Sequence, residues 1–208
     1  MIELDVQLSR EQELVVIHDF ELERTTSGHG SVREHRLEEL KALDAGGWFG
    51  KSFVGEPILT LDEVTELVAP TARLNVELKA TPPDSKVLAE RVVTFLRQRN
   101  LLESTLISCF EPETLATVRA IASDARIGLL WQNTDLLAAW RWTSRLAAVS
   151  FHPVWALVSD ESVNEAHARN LQVITWTVNE VDLMRRLVDC GVDGIISDFP
   201  ERFAAVLA

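Results

Sequence analysis

The chain has 208 residues, enough for one domain with a real hydrophobic core, and 47% of them are hydrophobic. Its 20 basic and 32 acidic residues give a formal net charge of −12, which disfavours binding to nucleic acid phosphates and to anionic membranes. The two cysteines do not make a disulfide framework, and no apolar run approaches the ~20 residues of a membrane span. No signal peptide is visible, and we expect a cytoplasmic protein without membrane insertion.

Short apolar runs typical of buried strands alternate along the chain with amphipathic helical patterns. The predicted strands are Ile2–Leu8, Arg73–Lys79, Thr105–Phe110, Arg126–Trp131, Ala147–His152, Val173–Val178 and Gly194–Ser197. The predicted helices are Ser85–Arg99, Glu113–Ala122, Ser159–Arg169 and Asn179–Asp189. In the last of these helices we expect Asn179 to be the N-cap and Gly191 to follow the C-terminus. Seven such strands favour a parallel β/α barrel over a doubly wound sheet.

The barrel is one unit short of the usual number. A complete barrel of this type has about eight strands and typically ~250 residues. The last unit closes cleanly with Gly194–Ser197 and a short helix from Glu201, which places the deficit at the N-terminus. We therefore predict an α/β fold, a (β/α)8 TIM-type barrel lacking its first βα unit, with residues 1–208 as a single domain.

One predicted connection, residues 20–66, is much longer than the others. It contains the polar turn Thr25–Gly30, a helical pattern at Leu37–Leu43 and the glycine-rich turn Gly46–Gly50. Connections longer than about 12–15 residues are usually functional in compact domains. In a barrel, this connection would emerge at the C-terminal face, where active sites are built.

Two acidic residues lie on the first predicted strand. Glu3 and Asp5 are two positions apart, so their carboxylates share one face of the strand. Burying two like charges together requires a cation or protonation, and hard divalent ions such as Mg²⁺ or Ca²⁺ prefer oxygen ligands of this kind. The alternative for this pair is a solvated strand end with no ion.

Glu77 and Lys79 share a face of the strand that comes next in barrel order. Glu77 would complete a metal site of three carboxylates, and Lys79 would supply a positive charge for a phosphate oxygen. The alternative is a simple ion pair across the mouth of the barrel.

Three further side chains follow strand-like runs. His18 can act as a general acid or base near neutral pH, or can be a structural histidine. Trp176 can form a wall for the organic part of a substrate, or fill the core. His152 either faces the mouth or is structural. We find no nucleophile elbow and no glycine-rich phosphate loop.

Together, these residues resemble the glycerophosphodiester phosphodiesterase family over essentially the whole chain. The resemblance rests on six ordered motifs: Ile2–Gln7, Val16–Asp19, Leu22–Thr26, Asn75–Lys79, Trp176–Asn179 and Gly191–Pro200. It implies one divalent cation, Mg²⁺ or Ca²⁺, and a small-molecule substrate. The implied reaction is hydrolysis of a glycerophosphodiester to glycerol 3-phosphate and an alcohol, a step of glycerophospholipid metabolism.

The resemblance also implies roles for individual residues. Glu3, Asp5 and Glu77 match the family's metal ligands. His18 matches one of two catalytic histidines, and Lys79 looks like the catalytic lysine near the phosphate. Trp176 looks like the aromatic residue that lines the glycerol side.

The sequence departs from the family in one large way. Family members begin with a strand carrying a His-Arg-Gly motif and a helix carrying a Glu-Asn-Thr motif, and neither motif is present. The missing histidine is the second acid–base group, and such groups contribute typically ~10²–10⁴-fold to rate. We therefore expect impaired activity from this chain.

Three explanations of the departure compete. Met1 can be an internal methionine of a longer natural chain. Alternatively, copies of the short chain can associate through the open barrel edge, or the protein is a non-catalytic relative that binds metal and a phosphodiester. A phospholipase-type lipid enzyme on the same barrel is a further reading, disfavoured because the sequence shows no apolar membrane-docking patch.

Overall fold

The computed structural model describes residues 1–68 and 71–206. One sheet contains the strands β1 (Ile2–Leu8), β2 (Leu14–Val16), β3 (Leu59–Thr60), β4 (Leu74–Leu78), β5 (Leu106–Cys109), β6 (Arg126–Trp131), β7 (Ser150–Pro153), β8 (Gln172–Thr175) and β9 (Gly194–Ile195). The α-helices are α1 (Leu37–Lys41), α2 (Leu61–Val68), α3 (Ser85–Gln98), α4 (Pro112–Ile121), α5 (Leu136–Leu146), α6 (Asp160–Ala168) and α7 (Val181–Asp189). Short 3₁₀ turns complete the described chain.

The sheet has the parallel βα order that the sequence predicts. Its strand order is β3-β2-β1-β4-β5-β6-β7-β8-β9, and every pairing from β1 through β4 to β9 is parallel. Each of the seven predicted strand runs overlaps a strand of this parallel set. Within residues 1–68 and 71–206, β9 pairs with β8 alone and not with β1. Association of copies of the chain through the gap between β1 and β9 stays a prediction.

The alternation of side chains along β1 separates the core from the barrel interior. Leu4, Val6 and Leu8 belong to the same buried hydrophobic cluster as residues of α3. Successive residues of a strand point to opposite faces, so Glu3 and Asp5 project to the other side. Burying a Val or Leu side chain contributes roughly 1.5–3 kcal/mol, and this outward apolar row fixes the inward direction of the acidic row.

Helix α5 was not among the predicted helices. Asp135 is its N-cap, and the carboxylate of that residue accepts a hydrogen bond from the N–H of Ala138 at 3.0 Å. The helix ends at Leu146, and its C-cap residue Ala147 adopts a left-handed conformation with φ +47°. Glycine is the usual residue at such an end, so an alanine there gives no stop signal in the sequence.

The predicted N-cap of the last long helix is wrong. The N-cap of α7 is Glu180, and its side chain makes no capping hydrogen bond. Asn179 instead donates its amide to Asp198 at 2.8 Å and accepts from the hydroxyl of Ser197 at 3.1 Å. These bonds to the segment after β9 hold Asn179 outside the helix. Gly191 follows the C-terminus of α7 with φ +85°, as predicted.

The long connection after β1 has its own hydrophobic cluster. Strands β2 and β3 extend the sheet antiparallel from the C-terminal end of β1. The buried residues of the cluster are Val15, Ile17, Leu22, Val32, Leu40 and Ile58. The connection is therefore an ordered element that begins at the C-terminal end of a barrel strand.

The long connection carries exposed aromatic side chains, and the absence of a membrane-docking patch stays a prediction. Trp48 is 56% exposed and Phe49 is 70% exposed. The ring of Phe49 packs edge-on against Trp48 and Phe53, with centroid distances of 5.7 and 5.2 Å. These aromatic rings pack on one another in a turn near Gly50 instead of entering the core. None of the helices in the described ranges combines the length and the apolarity that a bilayer span requires.

Candidate active site

Three carboxylates meet inside the barrel at the β1–β4 pair. The parallel register places Asp5 directly beside Glu77, and Glu3 lies two residues earlier on the same face of β1. One oxygen of each carboxylate lies within 4.8 Å of the others. The structure therefore brings together the three residues predicted as metal ligands.

Burial disfavours the negative charge of these carboxyl groups. Burial raises the pKa of Glu3 to about 8, and the neighbouring carboxylates of Asp5 and Glu77 add to the shift. Burial also raises the pKa of Glu77, although Lys79 opposes the change. Within the described chain, one buried oxygen of Glu3 has no hydrogen-bond partner. A hard divalent cation has the charge and the oxygen preference that this cluster lacks.

Lys79 lies directly after β4 and contacts two of the three carboxylates. Its Nζ is 3.0 Å from Oδ1 of Asp5 and 2.6 Å from Oε1 of Glu77. Burial opposes the positive charge, but the two carboxylates outweigh burial and raise the pKa of Lys79. The ion pair considered from the sequence is present, and it places one positive charge beside the three carboxyl groups. The ammonium stays protonated at neutral pH beside the cluster.

His18 lies at the start of the long connection, with its side chain 62% exposed. Its Nδ1 is 2.6 Å from Oδ1 of Asp19, which leaves Nε2 as the nitrogen free for proton transfer. Asp19 also accepts from Nη2 of Arg24 at 2.8 Å. Hydrogen bonds from Arg24 and then His18 lower the pKa of Asp19 to about 2. His18 makes the smallest contribution to the pKa of Glu77, which is raised overall, mainly by burial.

Trp176 lies at the C-terminal end of β8 and is fixed by two neighbours. Its indole N–H donates to the carbonyl oxygen of His152 at 2.8 Å. Its ring meets Phe110 edge-on, with a centroid distance of 5.2 Å. The two rings are half-buried after the ends of β5 and β8, at the face where barrel enzymes bind substrate. Sequence reasoning missed Phe110 because no motif marks it.

His152, which the sequence left as either mouth-facing or structural, is a buried histidine in the structure. Its side chain is fully buried, and its Nε2 lies 2.8 Å from the hydroxyl of Ser150. Burial lowers the pKa of His152 to about 3, so the imidazole is neutral at physiological pH. The ring lies against Gly128, where a Cβ atom would come within 2.5 Å of Nε2.

The sequence of this chain is similar to a known protein family and to several of its members. The model of the glycerophosphoryl diester phosphodiesterase family matches residues 1–202. The chain is 40% identical over 201 residues to a glycerophosphodiester phosphodiesterase of Caldanaerobacter subterraneus subsp. tengcongensis, covering 96% of this chain and 82% of the relative. It is 32% identical over 205 residues to the enzyme of that name from Bacillus altitudinis, covering 97% and 83%.

Solved structures agree with the sequence relatives. A phosphodiesterase of Oleispira antarctica, solved with the product sn-glycerol-3-phosphate, has a TM-score of 0.92 and 29% identity. The match covers 99% of this chain and 83% of that one. A glycerophosphodiester phosphodiesterase of Agrobacterium tumefaciens has a TM-score of 0.83 and 28% identity, covering 99% and 86%. The predicted barrel fold and enzyme family are thus confirmed: the chain belongs to the glycerophosphoryl diester phosphodiesterase family.

Proposed function

We propose that this protein catalyses metal-dependent hydrolysis of a glycerophosphodiester to glycerol 3-phosphate and an alcohol. The observation that carries the proposal is the cluster of Glu3, Asp5 and Glu77 beside Lys79. Membership of the family and the product bound to the Oleispira antarctica relative support the substrate class.

The carboxylates of Glu3, Asp5 and Glu77 would hold one divalent cation, Mg²⁺ or Ca²⁺. The buried oxygen of Glu3 without a partner and its raised pKa support this assignment. When bound, the cation supplies Lewis-acid polarisation of phosphoryl oxygens and acidifies a coordinated hydroxyl. Lys79 supplies a second positive charge, which stabilises negative charge that develops on the phosphoryl group.

His18 moves the proton in this reaction. The oxygen of a water molecule attacks phosphorus, a new P–O bond forms, and the P–O bond to the alcohol breaks, which releases glycerol 3-phosphate and the alcohol. The Nε2 atom of His18 takes the proton of the attacking water or delivers one to the leaving oxygen. Asp19 holds Nδ1 and so fixes the ring in one tautomer.

We propose that the 208-residue chain has low activity. The acid–base role is assigned to His18, whereas His152 is buried and its pKa is lowered to about 3. The family's His-Arg-Gly motif is not in the 208 residues. We propose that His18 serves both oxygens in this chain, which would cost roughly 10²–10⁴-fold in rate.

Trp176 and Phe110 are proposed to line the organic side of the substrate. The two rings stand edge-to-face with a centroid separation of 5.2 Å, and the hydrogen bond to His152 fixes the indole. A rigid aromatic corner at the mouth suits the apolar edge of a glycerol unit.

Release of glycerol 3-phosphate, measured with and without a chelator, tests the proposal. We expect turnover that the chelator abolishes and that Glu77→Ala removes. Turnover indifferent to chelator, or unchanged in Glu77→Ala, would contradict the assigned site. Metal binding by calorimetry without turnover on any glycerophosphodiester would instead favour a non-catalytic binding relative.

A further inference from the structure

Gln7 is the third inward residue of β1, after Glu3 and Asp5. It pairs with Val15 in the hairpin of β1 and β2 and is 5% exposed. Alternation along the strand places its side chain on the same face as the two carboxylates. Unlike them, it carries no charge and belongs to no metal-ligand set.

The side-chain amide of Gln7 reaches the segment that carries His18. Its Nε2 lies within hydrogen-bond distance of three carbonyl oxygens, those of Ile17 at 3.0 Å, His18 at 3.2 Å and Asp19 at 2.7 Å, and its two N–H groups are shared among them. Carbonyl oxygens only accept hydrogen bonds, so the NH₂ end of the amide must face them. A single side chain thus contacts three consecutive peptide carbonyls with its two N–H donors.

The same strand also holds this segment through its backbone. The N–H of Ile17 donates to the carbonyl oxygen of Asp5 at 3.0 Å. This bond fixes one end of the segment, whereas Gln7 fixes the peptides on both sides of His18. One strand therefore carries two carboxylates of the cluster and the anchor for the histidine.

We propose that Gln7 is a positioning residue that sets His18 relative to the carboxylates of Glu3 and Asp5. The proposal rests on the proposed function for the role of His18 as proton-transfer group. Gln7 acts through the backbone of residues 17–19 and touches no reacting atom. Its loss lets the histidine segment move away from the cluster while the carboxylates stay in place.

Gln7→Met tests the role in catalysis, because methionine keeps the length of the side chain and removes both donors. We expect kcat to fall about 10–100-fold, since misplacing a catalytic group by about 1 Å has an effect of this size. KM and the affinity for Ca²⁺ alone, measured by calorimetry, stay within about threefold of the unsubstituted values. Gln98→Met, at an exposed position of α3, is the matched control and keeps the original kcat.

Amide hydrogen exchange gives a second measurement that needs no turnover. We expect Gln7→Met to speed exchange within residues 17–20 while the strands β5 to β7 keep their protection. An unchanged kcat, or unchanged exchange at 17–20, would overturn the proposal. A protein without turnover would sink the proposed function, and the exchange measurement would still decide the positioning role.

The unsubstituted chain provides the test if Gln7→Met does not fold. The NH₂ group of Gln7, observed by NMR, is expected to exchange slowly and to show couplings to the carbonyls of residues 17–19. An amide that exchanges as fast as that of exposed Gln98 would refute the anchoring role.

Discussion

Nδ1 of His18 lies 2.6 Å from Oδ1 of Asp19, and Asp19 is held in turn by Arg24. This carboxylate is ionised over the whole physiological range, because its partners lower its pKa to about 2. It therefore stays available to orient the ring and to stabilise the imidazolium when His18 takes a proton. The exposed histidine gains a defined orientation from a neighbour adjacent in the chain.

Asp19→Asn should lower kcat by about 10²-fold, because the amide cannot stabilise the protonated ring as a carboxylate does. Steady-state kinetics of glycerol 3-phosphate release measure the effect. The matched control is Asp182→Asn, which breaks an exposed ion pair with Arg185 on α7 and leaves kcat unchanged. Equal kcat values for Asp19→Asn and the original chain would show that the His18–Asp19 contact is incidental.

Glu77→Gln should weaken binding of Mg²⁺ or Ca²⁺ by roughly 100-fold or more, because it removes one charge from a three-carboxylate cluster. Isothermal titration calorimetry with the metal salt measures the affinity. Glu103→Gln, at an exposed turn before β5, changes the net charge equally and keeps the original affinity. Retained affinity in Glu77→Gln would mean that the cation binds elsewhere.

Local patterns in the sequence predict the cluster well. Glu3 and Asp5 are two residues apart on a seven-residue strand, and period-two alternation alone puts both on one face. The next parallel strand then brings Glu77 to Asp5 through register. The three carboxylates lie on regular strands, so strand geometry alone is enough to predict that they share a site.

The contacts of the long connection could not be predicted from local sequence patterns. Gln7 reaches the carbonyl of Asp19 across 12 residues, and a glutamine on a strand gives no sign of this contact. Strands β2 and β3 are 3 and 2 residues long, too short for any periodic signal. Phe110 pairs with Trp176 only because the barrel brings β5 and β8 to one mouth.

Acid should destabilise the protein through His152. Its pKa is about 3 in the folded chain against an ordinary value of 6.5, so between these pH values the unfolded chain binds one proton more. The free energy of unfolding therefore falls as the pH is lowered through this window, by up to about 1.4 kcal/mol per pH unit. Urea unfolding from pH 7 to pH 4 measures the slope.

His152→Gln should remove this contribution to the slope, whatever its effect on stability at pH 7. His29→Gln substitutes a histidine whose side chain is 87% exposed, and it should leave the slope unchanged. A slope that persists in His152→Gln would assign the acid sensitivity to other groups.

Gly128→Ala should destabilise the chain by about 1–3 kcal/mol, because a Cβ atom there overpacks the barrel interior. It would lie 2.5 Å from Nε2 of His152 and 2.8 Å from Oγ of Ser150, and both neighbours are fully buried. Urea denaturation measures the loss. In the control Gly50→Ala, the new methyl group meets nothing closer than the Phe53 ring at 3.6 Å, so the unfolding midpoint should hold. Equal unfolding midpoints for the two variants would show that the His152 imidazole can shift without loss of stability. Gly128 would then not be required for the packing of His152.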